Sequence, residues 1–569
     1  MSKCKWNVIS DITKEAQDLS IETGLSIIVC QILLNRGYSD KASVYEYLNP
    51  SLAKLPDPFL LSDLEKGSKR IAEAIINGEK ISVYGDYDID GSTATASLTS
   101  FLRSLGADVL FYQPERFAEG YGFHISSVDE LKKKGVTLII TVDCGTSDIQ
   151  TAEYCKKNGI DLIVTDHHKV SQEYPQTFAF INPHKRGEKE IFSDLSGVGV
   201  AYYFMIGIRK VLRDTGFFND KKEPDLKEYL DMVAFGTIAD LVPIQGINRI
   251  LVKKGLEMMN NNPRLGLNAL IELSSLKDKL TCESVGFVLS PRMNAAGRMG
   301  SASRCVELLL TNDEHEAKNL AQILQEENNK RMNFQKRSWE EICSFVEAIE
   351  KKDPEVFSRT NTITLSSQDW HPGIIGILAS KPVDRWFKPT AVFTEISSGV
   401  YKGSARSVPG IDLFKVFSEL KEMFEDFGGH QMAVGMSIKE ERIPEFKLLF
   451  ESSVEKQIHS CPSKQTLNVD LELKLGDIDM KVLTDLSRME PFGTDNPSPL
   501  FLSKAKVLDK KILKGKHLKL KLENGIDAIG FNMGESAENI GAVTDIVFRP
   551  SINEWNGTKR IQYVIVDVL

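Results

Sequence analysis

The chain has no excess of positive charge. Its 70 lysines and arginines are outnumbered by 79 aspartates and glutamates, for a formal net charge of −9. That argues against a generic basic coat for nucleic acid, but not against a local basic groove. Cysteine pairing is also missing. Eight cysteines are scattered at positions 4, 30, 144, 155, 282, 305, 343 and 461, with no CxxC among them. Neither a disulfide framework nor a zinc ribbon is suggested. No apolar run approaches the roughly 18 residues needed to cross a bilayer. The opening stretch, MSKCKWNVISDITKEAQDLS, lacks the apolar core of a secretion signal. A reducing cytoplasm is the expected setting, with no membrane. The P-loop spacing is absent, since GKHLKLK does not satisfy it, and no ATP dependence is implied. There is no internal repeat and no low-complexity tract.

What is present is a globular composition, 42% hydrophobic and 26% charged, over 569 residues. That length exceeds a single core, and two to four domains are expected. Residues 1 to about 76 read as helical, interrupted by the proline-bearing SLAKLPDPFLLSD. From 81 to about 182, short apolar strands (ISVYG, VLFYQ, TLIITVD, DLIVTD, FAFIN) alternate with helices, which predicts a parallel α/β sheet. Residues 195–310 look mostly helical. A long helix follows over about 311–351, with Thr311 and Glu314 as a capping box and Pro354 closing it. Residues 360–460 return to α/β, with TITLSSQ, PTAVFTEI and MAVGMSI as strands and glycine-rich turns between them. From about 465 a succession of strands, with Asn-Gly at 524–525 and 556–557, predicts a small all-β barrel.

The chemistry centres on SVYGDYDIDGS (82–92), where Asp86, Asp88 and Asp90 alternate after a strand-like run. Aspartate is a poor strand former and three so close repel one another. Alone, such a cluster is as readily a solvated turn as a cation site. Three more groups tilt the balance. Asp143 ends TLIITVD, Asp166-His167-His168 end DLIVTD, and Asp240 follows a helical apolar segment in TIADLVP. Each by itself has an ordinary reading as a cap or a surface loop. Together Asp88, Asp90, Asp143, His167 and Asp240 supply four carboxylates and one imidazole, with at least four at strand ends on one predicted edge, where ligands collect in parallel sheets. Such a donor set suits Mn²⁺ or Mg²⁺ better than Zn²⁺. Two ions are the usual arrangement for phosphoester hydrolysis, with Asp143 as the candidate bridge. Asp88 and Asp90 are expected to ligate directly and Asp86 to stand behind them.

GDYDIDG, VDCG, TDHHK and ADLVP, in this order and at these separations, resemble the four motifs of the DHH phosphoesterase superfamily. FGGHQMAVG resembles the glycine-rich motif of its DHHA1 domain. RFAEGYG, SGVGVAY, PRMNAAGRM, WHPGIIGILAS and KGSARS narrow the resemblance to the RecJ family of single-strand-specific exonucleases, over roughly residues 60 to 560. The resemblance implies an α/β protein, in which a parallel-sheet DHH catalytic domain (76–310) follows an N-terminal helical segment (1–75). A long helix (311–352) joins it to a smaller α/β DHHA1 domain (353–462), and an OB-like nucleic-acid-binding barrel (463–569) completes the chain. It also implies a cleft too narrow for duplex.

The same resemblance makes Asp88, Asp90, Asp143, His167 and Asp240 metal ligands, and Asp166 with His168 the catalytic pair, His168 near the phosphate. It places Arg116 and Tyr121 at the 5′ end of a strand. Arg292 or Arg298, with Ser404, Arg406 and His430, falls to further substrate contacts. The basic run KAKVLDKKILKGKHLKLK (504–521) is either a solvated barrel face or a path for single-stranded DNA. The implied activity is 5′→3′ hydrolysis of single-stranded DNA, with single-strand binding protein and a RecQ-type helicase as partners. A DHH phosphatase or oligoribonuclease on short substrates, or a non-catalytic scaffold, are the alternatives. One position departs from the pattern: many DHH enzymes have a histidine ligand where Tyr84 stands, which leaves that role to Asp86, water or substrate.

Overall fold

The computed structural model describes residues 4–116, 119–458, 465–555 and 558–569. Cys461 and the Asn556-Gly557 pair lie outside them. The chain forms two compact units. One comprises Ala42–Asn328 and Arg488–Ser498, the other Met1–Lys41, Asn329–Ser487 and Pro499–Leu569.

The first unit is built on five parallel strands. In space they run Asp108–Tyr112, Lys80–Gly85, Leu138–Val142, Asp161–Thr165, Ala179–Ile181. All five match the sequence expectation. Their apolar runs are near-continuous because both faces are covered, as parallel sheets require. Ile81, Val83, Ile140 and Ile163 join the larger core with helices Leu64–Asn77, Ile89–Ser104, Gly197–Asp214 and Leu230–Ala239. Tyr84, Ile139, Leu162 and Val164 pack on the other face, against the core that holds Val128, Leu131, Ala152 and Cys155.

Arg488–Ser498 is tied into this unit by a buried arginine. Arg249 donates to the carbonyls of Tyr47 (2.9 Å), Met489 (2.9 Å), Glu490 (3.1 Å) and Pro491 (3.2 Å), and its guanidinium lies 3.8 Å from the Tyr47 ring centroid. The five fixed N–H groups of arginine suit such a cluster of carbonyls.

The second unit contains two sheets of consequence. One orders strands Asp426–His430, Ala433–Lys439, Val400–Arg406, Thr390–Ser397 and Ile363–Ser366, covered on one face by Leu413–Glu419 and Ile443–Glu455. The other closes on itself through Phe501–Leu513 and Val543–Trp555, giving the expected barrel of five strands with His517–Leu522, Asp527–Gly530 and Thr558–Val568.

Three local expectations are corrected. Cys4–Val8 is a strand, not helix, and pairs in parallel with Gln465–Val469. The long helix runs Glu314–Lys352, capped by Asp313 rather than Thr311: the Asp313 carboxylate accepts the Glu316 N–H at 2.7 Å. Val400–Arg406 is a strand where glycine suggested a turn. Gly403 lies in it because Met436 and the Phe393 ring fill the place of a side chain. Among the described residues, no single helix is long and apolar enough to cross a membrane.

Replacing Arg249 by Met removes the donors to four carbonyls without emptying the space. The expected loss is about 3 kcal/mol or more of first-unit stability, read as a lower unfolding midpoint in denaturant; an unchanged midpoint refutes the clamp.

Candidate metal centre and active site

The carboxyl ends of the parallel strands and the flanking helix ends bring the acids together. Asp88 caps helix Ile89–Ser104, its Oδ1 accepting the Gly91 N–H at 3.0 Å. Gly91 has to be glycine, since a Cβ there would meet the Asp86 backbone at 2.5–2.8 Å. Asp90, in the first turn, is buried and accepts the N–H groups of Gly197 (2.6 Å) and Val198 (2.9 Å), at the start of helix Gly197–Asp214. A helix N-terminus stabilises a buried carboxylate. Asp143 follows Leu138–Val142 in the left-handed region, at φ 61. Asp240 caps the C-terminus of Leu230–Ala239 and is followed by Leu241 at φ 63. Two non-glycine residues at positive φ beside these acids mark local strain at a site, a common feature of functional centres.

His167 stands at the middle. Its Nε2 lies 3.1 Å from Asp143 Oδ1, 3.6 Å from Asp240 Oδ2 and 3.9 Å from Asp90 Oδ2. Three sets of donor atoms fall within 4.8 Å of one another: Asp90, His167 and Asp240; Asp86, Asp88 and Asp143; and Asp143, His167 and His168. Asp86 Oδ1, Asp143 Oδ1, His167 Nε2 and Asp240 Oδ2 are buried and have no hydrogen-bond partner in the protein. Buried polar atoms are normally paired, so four orphaned donor atoms aimed at one another fit cations. Two adjoining oxygen-rich sets, with Asp143 in one and within reach of His167 in the other, fit a pair of Mn²⁺ or Mg²⁺ ions. Burial, followed by the neighbouring carboxylates, pushes Asp86, Asp90 and Asp143 well above the usual carboxylate range. Burial also raises Asp240 and lowers His167. Cation binding relieves the same crowding.

Asp86 thus stands in a ligand set, rather than behind one. Tyr84 does not: its ring is buried in the core on the opposite face of the sheet, and burial raises its phenol far above neutrality. Asp166 is no ligand either. It accepts the N–H groups of His167 (2.7 Å), His168 (3.2 Å) and Thr146 (3.0 Å), and its Oδ1 lies 2.8 Å from His168 Nδ1. Burial would lower the His168 imidazole, but the bond to Asp166 and the surrounding acids push it up to about 9. Asp166 fixes the ring of His168 through Nδ1. Asn182 is a member of the site that the sequence did not flag. Its amide donates to Thr146 Oγ1 and to the His168 carbonyl, both at 2.9 Å. It ends the strand FAFIN, and a polar side chain at that edge was the available signal.

Around this centre the first unit carries Arg116, whose guanidinium lies 5.2 Å from the Tyr87 ring centroid, and Tyr121, whose hydroxyl is 3.3 Å from His168 Nδ1. Arg292 and Arg298 separate. Arg292 is engaged by Gln325 (2.7 Å) and by the Val288 carbonyl. The charge of Arg298 acts on Tyr87, beside the aspartates.

Ser404, Arg406 and His430 belong to the second unit. Arg406 donates to Ser404 Oγ at 2.9 Å, and a Cβ on Gly376, at the start of helix Ile375–Trp386, would meet its Nη2 at 2.8 Å. Arg406 pairs with Ala433 and Ala433 with His430, so the arginine and the histidine lie in one cross-strand row. In the barrel, four of the eight lysines between 504 and 521 have partners: Lys510 on the Ala537 and Ile540 carbonyls, Lys511 on Asp509, and Lys519 and Lys521 on Asp527.

An acidic centre with a DHH histidine pair on the carboxyl edge of a parallel sheet defines a DHH-type phosphoesterase. The family models agree: the DHH family N-terminal domain matches residues 80–237, the DHHA1 domain 359–456 and the RecJ OB domain 469–567. The chain belongs to the RecJ family of single-stranded-DNA-specific exonucleases. It is 36% identical to the Bacillus subtilis RecJ over 100% of this chain and 71% of that one. Identity to the Haemophilus influenzae RecJ is 34%, over 91% and 92%. The crystal structure of Thermus thermophilus RecJ in complex with Mn²⁺ covers 100% of this chain and 80% of its own at a TM-score of 0.84 and 28% identity. The enzyme is a metal-dependent exonuclease acting on single-stranded DNA, and the match through the RecJ OB domain leaves the short-substrate alternative without support.

Replacing Asp143 by Asn removes the charge that lies in one ligand set and borders the other at His167. The expected result is loss of cleavage and of Mn²⁺-induced thermal stabilisation, with binding of single strands kept. Wild-type-like Mn²⁺ stabilisation in the variant removes Asp143 from the metal centre.

Proposed function

We propose that the enzyme hydrolyses single-stranded DNA from the 5′ end to 5′-mononucleotides. The reading takes the ligands to be Asp86, Asp88, Asp90, Asp143, His167 and Asp240. When bound, two divalent ions neutralise phosphate charge and supply an activated water. His168, oriented by Asp166 at Nδ1, presents its Nε2 to a phosphate oxygen. Arg116 and Arg298 add positive charge beside Tyr87, and the exposed ring of Tyr121 stacks on a base at the strand's end.

The observation that carries the 5′ polarity is Ser404 and Arg406 beside the start of helix Ile375–Trp386, with His430 in the same cross-strand row. Guanidinium, hydroxyl and a helix N-terminus make an anion site suited to a terminal phosphate. In this reading 76–310 is the catalytic domain, 353–462 the domain that holds the end and 463–569 the strand-binding barrel. The lysines of 504–521 that lack an internal partner are its electrostatic path. Cytoplasmic work in recombinational repair, mismatch repair and stalled-fork processing follows, with single-strand binding protein and a RecQ-type helicase as partners.

The test is digestion of 5′- and 3′-end-labelled single and double strands with Mn²⁺ titrated. Early release of the 5′ label as a mononucleotide, from single strands alone, is expected. Release of the 3′ label first, or equal attack on duplex, overturns the reading. Arg406→Ala should cost about tenfold in the preference for a 5′-phosphorylated end; an unchanged preference reassigns the residue.

A further inference from the structure

Tyr84 is the penultimate residue of strand Lys80–Gly85, two residues before the first aspartate, and is buried. Its ring meets Phe123 edge-on at 4.8 Å between centroids and stacks on Tyr112 at 5.3 Å. Packing fills this space, but packing does not account for the hydroxyl, which donates to the Gly122 carbonyl at 2.9 Å. A buried hydroxyl needs a partner, and this one has taken the backbone beside Tyr121.

The stretch around Tyr121 is fastened on both sides. Before it, Tyr112 donates to Glu119 Oε1 at 2.9 Å, and Glu119 Oε2 accepts the Glu115 N–H at 2.8 Å. After it, Gly122 is at φ 104, the Phe123 N–H donates to Asp148 at 2.9 Å, and Thr151 Oγ1 donates to the Phe123 carbonyl at 2.7 Å. Tyr121 itself is 52% exposed, with its ring 5.8 Å from that of His168. The bond from Tyr84 runs from the sheet strand that leads into the aspartates to the residue next to Tyr121.

We propose that Tyr84 is a positioning residue: its hydroxyl clasps the Gly122 carbonyl and so sets the Tyr121 ring against His168 and the strand's end. The position that supplies a metal ligand in many DHH enzymes here fixes a substrate contact. The inference rests on Tyr121 touching the strand.

The test is Tyr84→Phe, which keeps the rings and removes the hydroxyl. KM for single strands should rise about three- to tenfold, the range expected for one buried hydrogen bond, while kcat and the Mn²⁺ requirement hold. Hydrogen exchange of the amides at 119–123 should quicken by a similar factor. The double variant with Tyr121→Ala should be no worse in KM than Tyr121→Ala alone. Unchanged exchange in Tyr84→Phe overturns the clasp. A shifted Mn²⁺ requirement with unchanged KM also overturns it, by making Tyr84 part of the metal centre. Additive KM losses in the double variant overturn action through Tyr121. If Tyr121→Ala alone leaves KM unaltered, the strand-contact reading falls instead, and the exchange rates still decide the clasp.

Discussion

Crowded negative charge at one edge of a sheet governs this molecule. Two carboxylates 4 Å apart repel by about 4 kcal/mol at an effective dielectric constant of 20. Five aspartates and two imidazoles are held in overlapping ligand sets. The backbone offsets part of the cost. Gly197 and Val198 donate to Asp90, and Gly91 donates to Asp88. Glycine recurs because these approaches leave no room for a side chain: a Cβ on Gly197 would lie 2.6 Å from Asp143. The atoms left over have no protein partner, and cations complete them.

Much of this was legible in the sequence. All five strands of the catalytic sheet could be read because a parallel sheet buried on both faces needs unbroken apolar runs, and aspartates ending such runs are conspicuous. The ligand set follows from those ends. What could not be read was which atoms satisfy the acids. Asp90 is held by residues more than 100 positions away, and nothing local in IDG announces that. Asp86 looked like the residue behind the ligands; its buried Oδ1 has no protein partner and lies in one set with Asp88 and Asp143.

Glycine misled in the second unit and tyrosine in the first. Gly403 suggested a turn, but it is a strand residue required by Met436 and Phe393 on the neighbouring strands. Ser404 and Arg406 therefore project from a sheet rather than a loop, a stiffer mount for a side chain. Tyr84 looked like a gap in the ligand set. In three dimensions its ring packs on Tyr112 and Phe123 and its hydroxyl bonds the Gly122 carbonyl, partners that a motif read as a string does not display.

The parallel pairing of Cys4–Val8 with Gln465–Val469 joins segments about 460 residues apart. At roughly 5–20 residues per second of synthesis, the first strand emerges from the ribosome and waits about half a minute or longer for its neighbour to exist. During that interval its backbone edge is unpaired and available to other chains, the usual hazard of an open strand. The strand bears Lys5 and is only five residues long. A short, charged strand is a poor template for premature pairing, which limits that hazard while the partner strand is still to be made.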